Sequence, residues 1–152
     1  MKIITGDLFE QTHLDAIGHG VNCKGVMGAG IAAQFKKRYP QMYREYAQLC
    51  QDKALHAGEC FAWRNENDDS DDFSYIYNLA SQYLPGSDAR YEWLEKSLHA
   101  MFAHAQAHNV RTIGLPLIGA GIGGLSVEES MNAMDAAGRA TTNVELVVVQ
   151  FK

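Results

Sequence analysis

Short apolar runs alternate with amphipathic segments along this chain, and the alternation predicts an α/β fold. Runs of strand length cover residues 1–5, 14–21, 59–63, 73–80, 111–118 and 144–151. Segments with apolar residues at helical spacing cover residues 31–39, 42–54, 89–108 and 126–140. Such alternation favours three layers, with helices on both faces of a mixed sheet of about six strands. We therefore predict a single α/β/α domain over residues 1–152.

Some predicted elements carry specific signals at their ends. Pro40 is expected to stop the first helix, because proline lacks the N–H that a continuing helix needs. Ser126 and Glu129 have the spacing of a capping box, which predicts a helix start. The third and fourth strands are predicted to pair as a hairpin across a polar loop at residues 65–72. The last strand is almost continuously apolar, which indicates that both faces of the sheet are covered there.

Two glycine-rich loops each follow a predicted strand and precede a predicted helix. The first glycine loop, residues 22–31, contains Gly25, Gly28 and Gly30; the second glycine loop, residues 119–124, reads G-A-G-I-G-G. Glycine permits positive φ and a close approach of the backbone to a ligand. Such a loop brings backbone N–H groups to the positive end of a helix dipole, where phosphate binds. Ligands of open α/β sheets bind at the carboxyl ends of strands, so we predict that the two loops clasp a diphosphate.

The second glycine loop also fits a nucleotide-binding pattern that the rest of the chain does not support. Gly119, Gly121 and Gly124 match G-x-G-x-x-G, which suggests a dinucleotide fold. Only one predicted helix and one predicted strand follow this loop, so the paired βαβ halves of that fold are missing. No Walker lysine follows either glycine loop, which argues against nucleotide hydrolysis.

The composition limits which classes of partner and which cellular compartment we expect. The net charge of −5 and the pI near 5.6 argue against a nucleic-acid surface or an acidic membrane as the main partner. Cys23, Cys50 and Cys60 form an odd set without metal-ligand spacing, which favours a reducing compartment. The sequence shows neither a signal peptide nor an apolar run near the ~20 residues of a membrane span. We expect a cytoplasmic protein.

Four motifs, in this order, resemble the macro domain family. They are Gly6-Asp7-Leu8-Phe9; Asn22 with G-V-M-G-A-G-I-A; Asn78-Leu79-Ala80-Ser81-Gln82; and P-L-I-G-A-G-I-G-G-L at residues 116–125. The chain is most similar to the terminal ADP-ribose glycohydrolase and antitoxin-type branch and to the related ADP-ribose-1″-phosphate phosphatases. The resemblance implies a three-layer α/β/α sandwich with a cleft for ADP-ribose and with neither a metal nor a cofactor.

The resemblance also implies roles at the cleft for three of these motifs. Asp7 would accept a hydrogen bond from the adenine amino group, and Leu8 would add a backbone contact. Asn22 would bind the distal ribose. The two glycine loops and the residues beside them would hold the diphosphate; the residues predicted to do so are Gly28, Gly30, Ile31, Pro116, Gly119, Ala120, Gly121, Ile122 and Gly123.

Two positions depart from the pattern of the glycohydrolase branch. That branch has a lysine after the Asn-Leu-x-Thr/Ser strand and an aspartate in the second glycine loop. This chain has Gln82 in the first of these segments and Gly123 at the second position. We therefore predict a mechanism without lysine, in which a positioned water attacks and Asn22 and Gln82 are the catalytic residues.

The predicted activity is hydrolysis of ADP-ribose from a modified substrate, and the expected bond is an ester to a protein glutamate or aspartate. Two alternatives stay open. One is a phosphatase acting on ADP-ribose 1″-phosphate, and the other is a reader module that binds ADP-ribose without turnover. The expected partner is ADP-ribose attached to a protein, or to a nucleic acid. The protein is expected to be a monomer that does not bind membranes.

Two further side chains near the first glycine loop are predicted to be structural. Cys23 stands beside Asn22, but no histidine can be assigned to activate it, so packing is favoured over nucleophilic attack. His19 has small neighbours on its strand, so a position in the core is favoured over a general base.

Overall fold

The computed structural model describes residues 1–66 and 72–151, and this part of the chain builds one mixed, six-stranded sheet. Neighbouring strands pair in parallel except for the third and fourth, which are antiparallel. The predicted pairing of these two strands is confirmed, while most of their predicted loop lies outside the described residues. The strands are β1 (Lys2–Thr5), β2 (Ala16–Gly20), β3 (Cys60–Arg64), β4 (Tyr75–Leu79), β5 (Thr112–Leu115) and β6 (Glu145–Gln150), in the sheet order β1-β6-β5-β2-β4-β3.

The helices cover both faces of this sheet. They are α1 (Gly30–Arg38), α2 (Pro40–Gln51), α3 (Tyr91–Ala107) and α4 (Val127–Arg139), with 3-10 turns at Leu8–Glu10 and Gly121–Gly123. One core cluster contains side chains of α1 and α2, and a second contains side chains of α3 and α4. The predicted three-layer α/β/α architecture is thereby confirmed. No helix in the described part of the chain is both long and apolar enough to span a membrane.

The capping box predicted for the last helix is present at α4. The Ser126 hydroxyl oxygen accepts a hydrogen bond from the Glu129 backbone N–H at 3.0 Å. In return, the Ser126 backbone N–H donates to Glu129 Oε1 at 3.0 Å. The buried strand β6 lies between β1 and β5, as its continuous apolar run predicted.

The bounds of the second helix require two corrections. The first helix ends before Pro40, as predicted, but this proline itself begins α2 instead of lying in a gap before residue 42. Proline suits the first position of a helix, because the N–H that it lacks would have no partner within the helix. The second helix also ends at Gln51, earlier than the predicted residue 54, and Lys53 has a positive φ of 55° that a right-handed helix cannot contain.

The topology brings the candidate motifs to one edge of the sheet. Five strands run parallel to one another, so their carboxyl ends lie at the same edge. Asp7 follows β1, the first glycine loop follows β2, Ser81 follows β4 and the second glycine loop follows β5. Segments that are far apart in the sequence therefore meet at this edge.

Candidate functional site

Two adjoining cavities open at the carboxyl edge of the sheet. The glycine-loop cavity, of about 420 Å³, lies between the first and second glycine loops and includes Asn22, Ser81 and Gln82 in its lining. The Asp7 cavity, of about 730 Å³, is lined by Asp7 and Leu8 at the end of β1. Four residues line both cavities, namely Gly30, Ile31, Pro116 and Leu117. The two cavities therefore adjoin each other along this edge of the sheet, and together they are called the cleft below.

The structure brings nearly all of the predicted site residues to this cleft. Those that line the glycine-loop cavity are Asn22, Gly28, Gly30, Ile31, Gln82, Pro116, Gly119, Ala120, Ile122 and Gly123. Gly121 is the exception, since it belongs to the lining of neither cavity. Gly121 has a φ of 70°, a backbone conformation that residues with a side chain rarely adopt. This glycine therefore allows the loop to turn.

Asn22 holds the first glycine loop in shape. Its Oδ1 accepts hydrogen bonds from the backbone N–H of Lys24 at 2.9 Å and of Val26 at 3.3 Å. Its Nδ2 donates to the Val26 carbonyl oxygen at 2.8 Å. One bond to Val26 leaves the amide nitrogen with a second N–H. The side chain thus forms local turn bonds and also lines the cleft.

Two tyrosines of α2 donate hydrogen bonds to backbone carbonyl oxygens of the same loop. The Tyr46 hydroxyl donates to the Asn22 carbonyl oxygen at 2.6 Å and lies 3.0 Å from Asn22 Oδ1. The Tyr43 hydroxyl donates to the Gly25 carbonyl oxygen at 2.8 Å. Because Tyr46 is fully buried, the first glycine loop is bonded directly to the core.

The second glycine loop is held by backbone bonds. The Leu125 N–H donates to the Gly119 carbonyl oxygen at 2.8 Å, and the Ala89 N–H donates to the Gly123 carbonyl oxygen at 3.0 Å. Positive φ values occur at Gly119, Gly121 and Gly124. Ile122 stands out from the loop, with 66% of its surface exposed.

Asp7 begins a short turn at the far end of the cleft. Its Oδ1 accepts a hydrogen bond from the Phe9 backbone N–H at 2.9 Å, which fixes the carboxylate as a helix cap. Within the described residues, Oδ2 receives no hydrogen bond from the protein. The carboxylate therefore keeps an acceptor for a ligand, at a position where Leu8 forms part of the cavity wall.

Gln82 lies in the cleft, but the protein already uses its donor group. Its Nε2 donates to the carbonyl oxygens of Leu84 at 2.7 Å and Gly86 at 2.8 Å, which closes the turn that follows β4. A side-chain amide has two N–H groups, so Oε1 is the atom that remains for a ligand or a water. The catalytic role of Gln82 stays a prediction.

Cys23 and His19 have the structural roles that the sequence predicted. Burial, with smaller contributions from Cys50 and Glu59, raises the pKa of the Cys23 thiol to about 11, so the thiol is neutral at pH 7. His19 is fully buried, with its ring 3.8 Å from that of Phe35 and its Nε2 2.8 Å from Asn78 Oδ1. Burial lowers the pKa of His19 to about 4, although the Asn78 bond acts in the opposite direction.

Ser81 is a polar cleft residue to which the sequence motifs assigned no role. It lines the glycine-loop cavity, it is 1% exposed, and its Oγ has no hydrogen-bond partner in the described protein. A signal was present in the sequence, because Ser81 follows the end of β4 by the same two residues as Asn22 follows the end of β2.

Known proteins resemble this chain in sequence and in structure. A family model described as Macro domain matches residues 19–134. The DNA ADP-ribosyl glycohydrolase of Thermus aquaticus is 31% identical over 150 residues, which are 99% of this chain and 41% of that protein. Human ADP-ribose glycohydrolase OARD1 is 30% identical over 145 residues, covering 95% of this chain and 88% of that protein.

The fold similarity extends over almost the whole chain. The macrodomain of Thermus aquaticus DarG superposes with a TM-score of 0.87 at 31% identity, and the match covers 97% of this chain and 96% of that one. The chain thus spans less than half of the full Thermus aquaticus glycohydrolase but nearly all of its solved macrodomain.

Proposed function

We propose that this chain, which belongs to the macro domain family, removes ADP-ribose from a modified macromolecule. The observation that carries the proposal is the cleft formed by the two adjoining cavities, which has a carboxylate acceptor at one end, two glycine loops in the middle and Asn22 at the other end. This order suits a ligand with adenine at one end, a diphosphate in the middle and a ribose at the other. The names of the Thermus aquaticus and human relatives support the same class of reaction.

The diphosphate is assigned to the middle of the cleft, where α1 begins. Ala29, the residue before α1, makes no side-chain cap, so the first N–H groups of this nine-residue helix are left for another acceptor. The positive end of the helix dipole favours an anion at this point. Ile122 and Gly123 of the second glycine loop line the opposite side.

The other parts of the ligand follow from this placement. Asp7 Oδ2 would accept a hydrogen bond from the adenine amino group, and the backbone at Leu8 would hold the base edge. The second Nδ2–H of Asn22 would donate to the distal ribose. The reacting bond would then lie beside Asn22 and Gln82.

We propose that water is the nucleophile and that no lysine takes part. Gln82 occupies the segment where the glycohydrolase branch has its lysine, while the Lys24 ammonium donates to the Tyr83 hydroxyl at 2.9 Å. Cys23 is neutral and packed, and His19 is buried below the loop, so neither supplies a nucleophile or a base. A water held by Asn22, the second glycine loop and the ligand's own diphosphate would attack the anomeric carbon. The bond from that carbon to the ester oxygen would break and its electrons would leave with the carboxylate, while the proton of the water would pass through a diphosphate oxygen to solvent. Esters at an anomeric carbon are labile, so positioning alone gives a useful acceleration.

A second candidate substrate is ADP-ribose linked to DNA. The name of the Thermus aquaticus relative favours this substrate, whereas the net charge of −5 disfavours an extended nucleic-acid surface. The cytoplasmic location and the monomeric state stay predictions.

A release assay with matched substrates tests the proposal. The protein would be incubated with ADP-ribose linked to glutamate, to serine and to DNA, and with ADP-ribose 1″-phosphate. We expect release from the glutamate ester. Release from DNA alone would favour the second candidate, release of phosphate alone would favour a phosphatase, and saturable binding without any release would identify a reader module.

Borohydride added during turnover tests the mechanism separately. A lysine mechanism opens the sugar and forms a Schiff base, which borohydride reduces to a stable adduct. We expect no adduct on this chain, as judged by its intact mass. An adduct on Lys24 or Lys36 would contradict the mechanism without lysine while leaving the hydrolase proposal in place.

A further inference from the structure

The Ser81 hydroxyl is a polar group at the floor of the cleft that the protein leaves unpaired. The residue is 1% exposed, the accessible area of Oγ is below 1 Å², and no described residue accepts from it or donates to it. A buried hydroxyl without a partner costs about 1–3 kcal/mol, so such groups are rare without a functional reason. The other buried serines among the described residues, Ser97 and Ser130, both donate to a carbonyl oxygen.

The backbone places Ser81 beside Asn22. Gly20 of β2 pairs with Leu79 of β4, and each of the two side chains follows its strand end by two residues. The segments stay bonded beyond the strands, through Val21 N–H to the Leu79 carbonyl oxygen at 2.8 Å and Cys23 N–H to the Tyr83 carbonyl oxygen at 2.9 Å. Asn22 and Ser81 lie between these two bonds and line the same cavity.

Gly20 provides the room in which the hydroxyl lies. A Cβ at this position would be 2.8 Å from Ser81 Oγ and 2.6 Å from Ile118 Cγ2, and all three residues line the glycine-loop cavity. No hydrogen bond holds the Ser81 hydroxyl in its present rotamer. Rotation about χ1 toward the cleft therefore breaks no bond and can form one with a ligand.

We infer that Ser81 is a ligand-contacting residue whose hydroxyl hydrogen-bonds a hydroxyl of the distal ribose. The inference rests on the proposed function, which places that ribose beside Asn22. Ser81 would then contact the sugar beyond the diphosphate. This contact would favour ADP-ribose over a nucleotide that lacks this sugar. Binding alone can test it, because it does not require turnover.

The test compares two ligands on three proteins by calorimetry. For Ser81→Ala, the Kd for ADP-ribose should rise about three- to tenfold, which corresponds to the free energy of one neutral hydrogen bond. The Kd for ADP, which has no distal ribose, should stay within about twofold of the parent. Ser97→Ala removes a buried hydroxyl on α3, outside the cleft lining, and should bind both ligands as the parent does.

Thermal unfolding of the free proteins separates a ligand contact from a structural role. Ser81→Ala should melt at or slightly above the temperature of the parent, because the substitution removes an unpaired buried hydroxyl. Unchanged affinity of Ser81→Ala for ADP-ribose, an equal loss for both ligands, or no binding of ADP-ribose to the parent would each overturn the inference. A parent that binds ADP-ribose but releases none would instead refute the hydrolase proposal, and the selective loss in Ser81→Ala would still be expected.

Discussion

The two glycine loops form opposite walls of one cleft, but different forces hold them in place. In the first glycine loop, the side chain of Asn22 forms hydrogen bonds with three backbone groups. Two tyrosines of α2 donate hydrogen bonds to backbone carbonyl oxygens of the same loop. In the second glycine loop, backbone hydrogen bonds and positive φ values at Gly119, Gly121 and Gly124 maintain the shape. The first loop depends on particular side chains, and the second depends on the conformational freedom of glycine.

This difference predicts how substitutions in each loop affect stability and ligand binding. Loss of a side chain in the first loop removes bonds that connect it to the core, so stability and ligand binding should fall together. Addition of a side chain to the second loop strains a turn at the surface, so ligand binding should fall while the core is unaffected. Three experiments examine this contrast, beginning with the largest expected effect.

Asn22→Ala should be the most damaging of the three changes. It removes the bonds to Lys24 and Val26 and one acceptor of the Tyr46 hydroxyl, so we expect unfolding to become easier by about 3–4 kcal/mol. ADP-ribose binding and any hydrolysis should be lost with it. Denaturant unfolding and calorimetry on the same preparations would measure both effects.

Asn22→Asp is the matched control for that experiment. A carboxylate keeps the acceptor for the N–H groups of Lys24 and Val26 but cannot donate to the Val26 carbonyl oxygen. We expect a smaller loss of stability than in Asn22→Ala. If the two variants were equally stable, the accepting bonds of Asn22 would not be what holds the first glycine loop.

Part of the pH dependence of stability should trace to His19, which lies beneath the first loop and stacks on Phe35 of α1. Its pKa is about 4 in the folded protein, below the usual 6.5 of the unfolded chain. Between these values the unfolded state binds more protons, so stability rises with pH and is lost as the pH falls from about 6.5 to about 4. The loss attributable to this residue should be on the order of 3 kcal/mol.

A comparison with His19→Gln isolates this contribution from other acid-sensitive groups. Unfolding free energies of both proteins would be measured at several values across the same pH window. The parent should lose more stability than the variant, whereas parallel profiles would show that protonation of His19 is not the cause. No equivalent effect is expected below the second loop, because β5 reads Thr-Ile-Gly-Leu and has no side chain that titrates in this window.

The sequence predicted the strands, the helices and both loops, because these depend on local patterns. Apolar periodicity marks a strand or a helix wherever it occurs, and the Ser126 cap requires only a partner three residues away. The motifs of the macro domain family also predicted the residues that meet at the cleft. Their convergence follows from strand order, since the carboxyl ends of parallel strands share one edge.

The missed features depend on contacts between distant segments. Nothing in the local pattern shows that Tyr46 reaches back to Asn22 across 24 residues, or that the Gln82 amide is used by its own turn. Likewise, the position of Ser81 two residues after a strand marks it as a candidate, but its burial and its missing partner are known only from the fold. Polarity can be read from a sequence, but whether a polar atom has a partner is a property of the folded molecule.

Gly121 provides the sharpest test of the second loop, because the sequence and the structure give different reasons for its importance. The sequence predicted that this glycine allows a phosphate to approach closely. In the structure, an added Cβ would meet no atom within 4 Å, and the residue has a φ of 70°. The cost of a side chain here should therefore come from backbone strain and not from lost space.

Two substitutions at Gly121 separate these reasons. A β-branched residue strongly disfavours positive φ, at a cost of roughly 1–2 kcal/mol. In Gly121→Val the surface loop should relax out of this conformation in the free protein, so the cost arises on binding: calorimetry should show about tenfold weaker ADP-ribose binding while the melting temperature changes little. Asparagine tolerates the left-handed region, so Gly121→Asn should bind within about threefold of the parent. Equal weakening by both residues would show that the ligand needs the empty space beside the α-carbon, as the sequence suggested. Parent-like binding by Gly121→Val would show that the second loop does not depend on this conformation, and the contrast between the two loops would then be wrong.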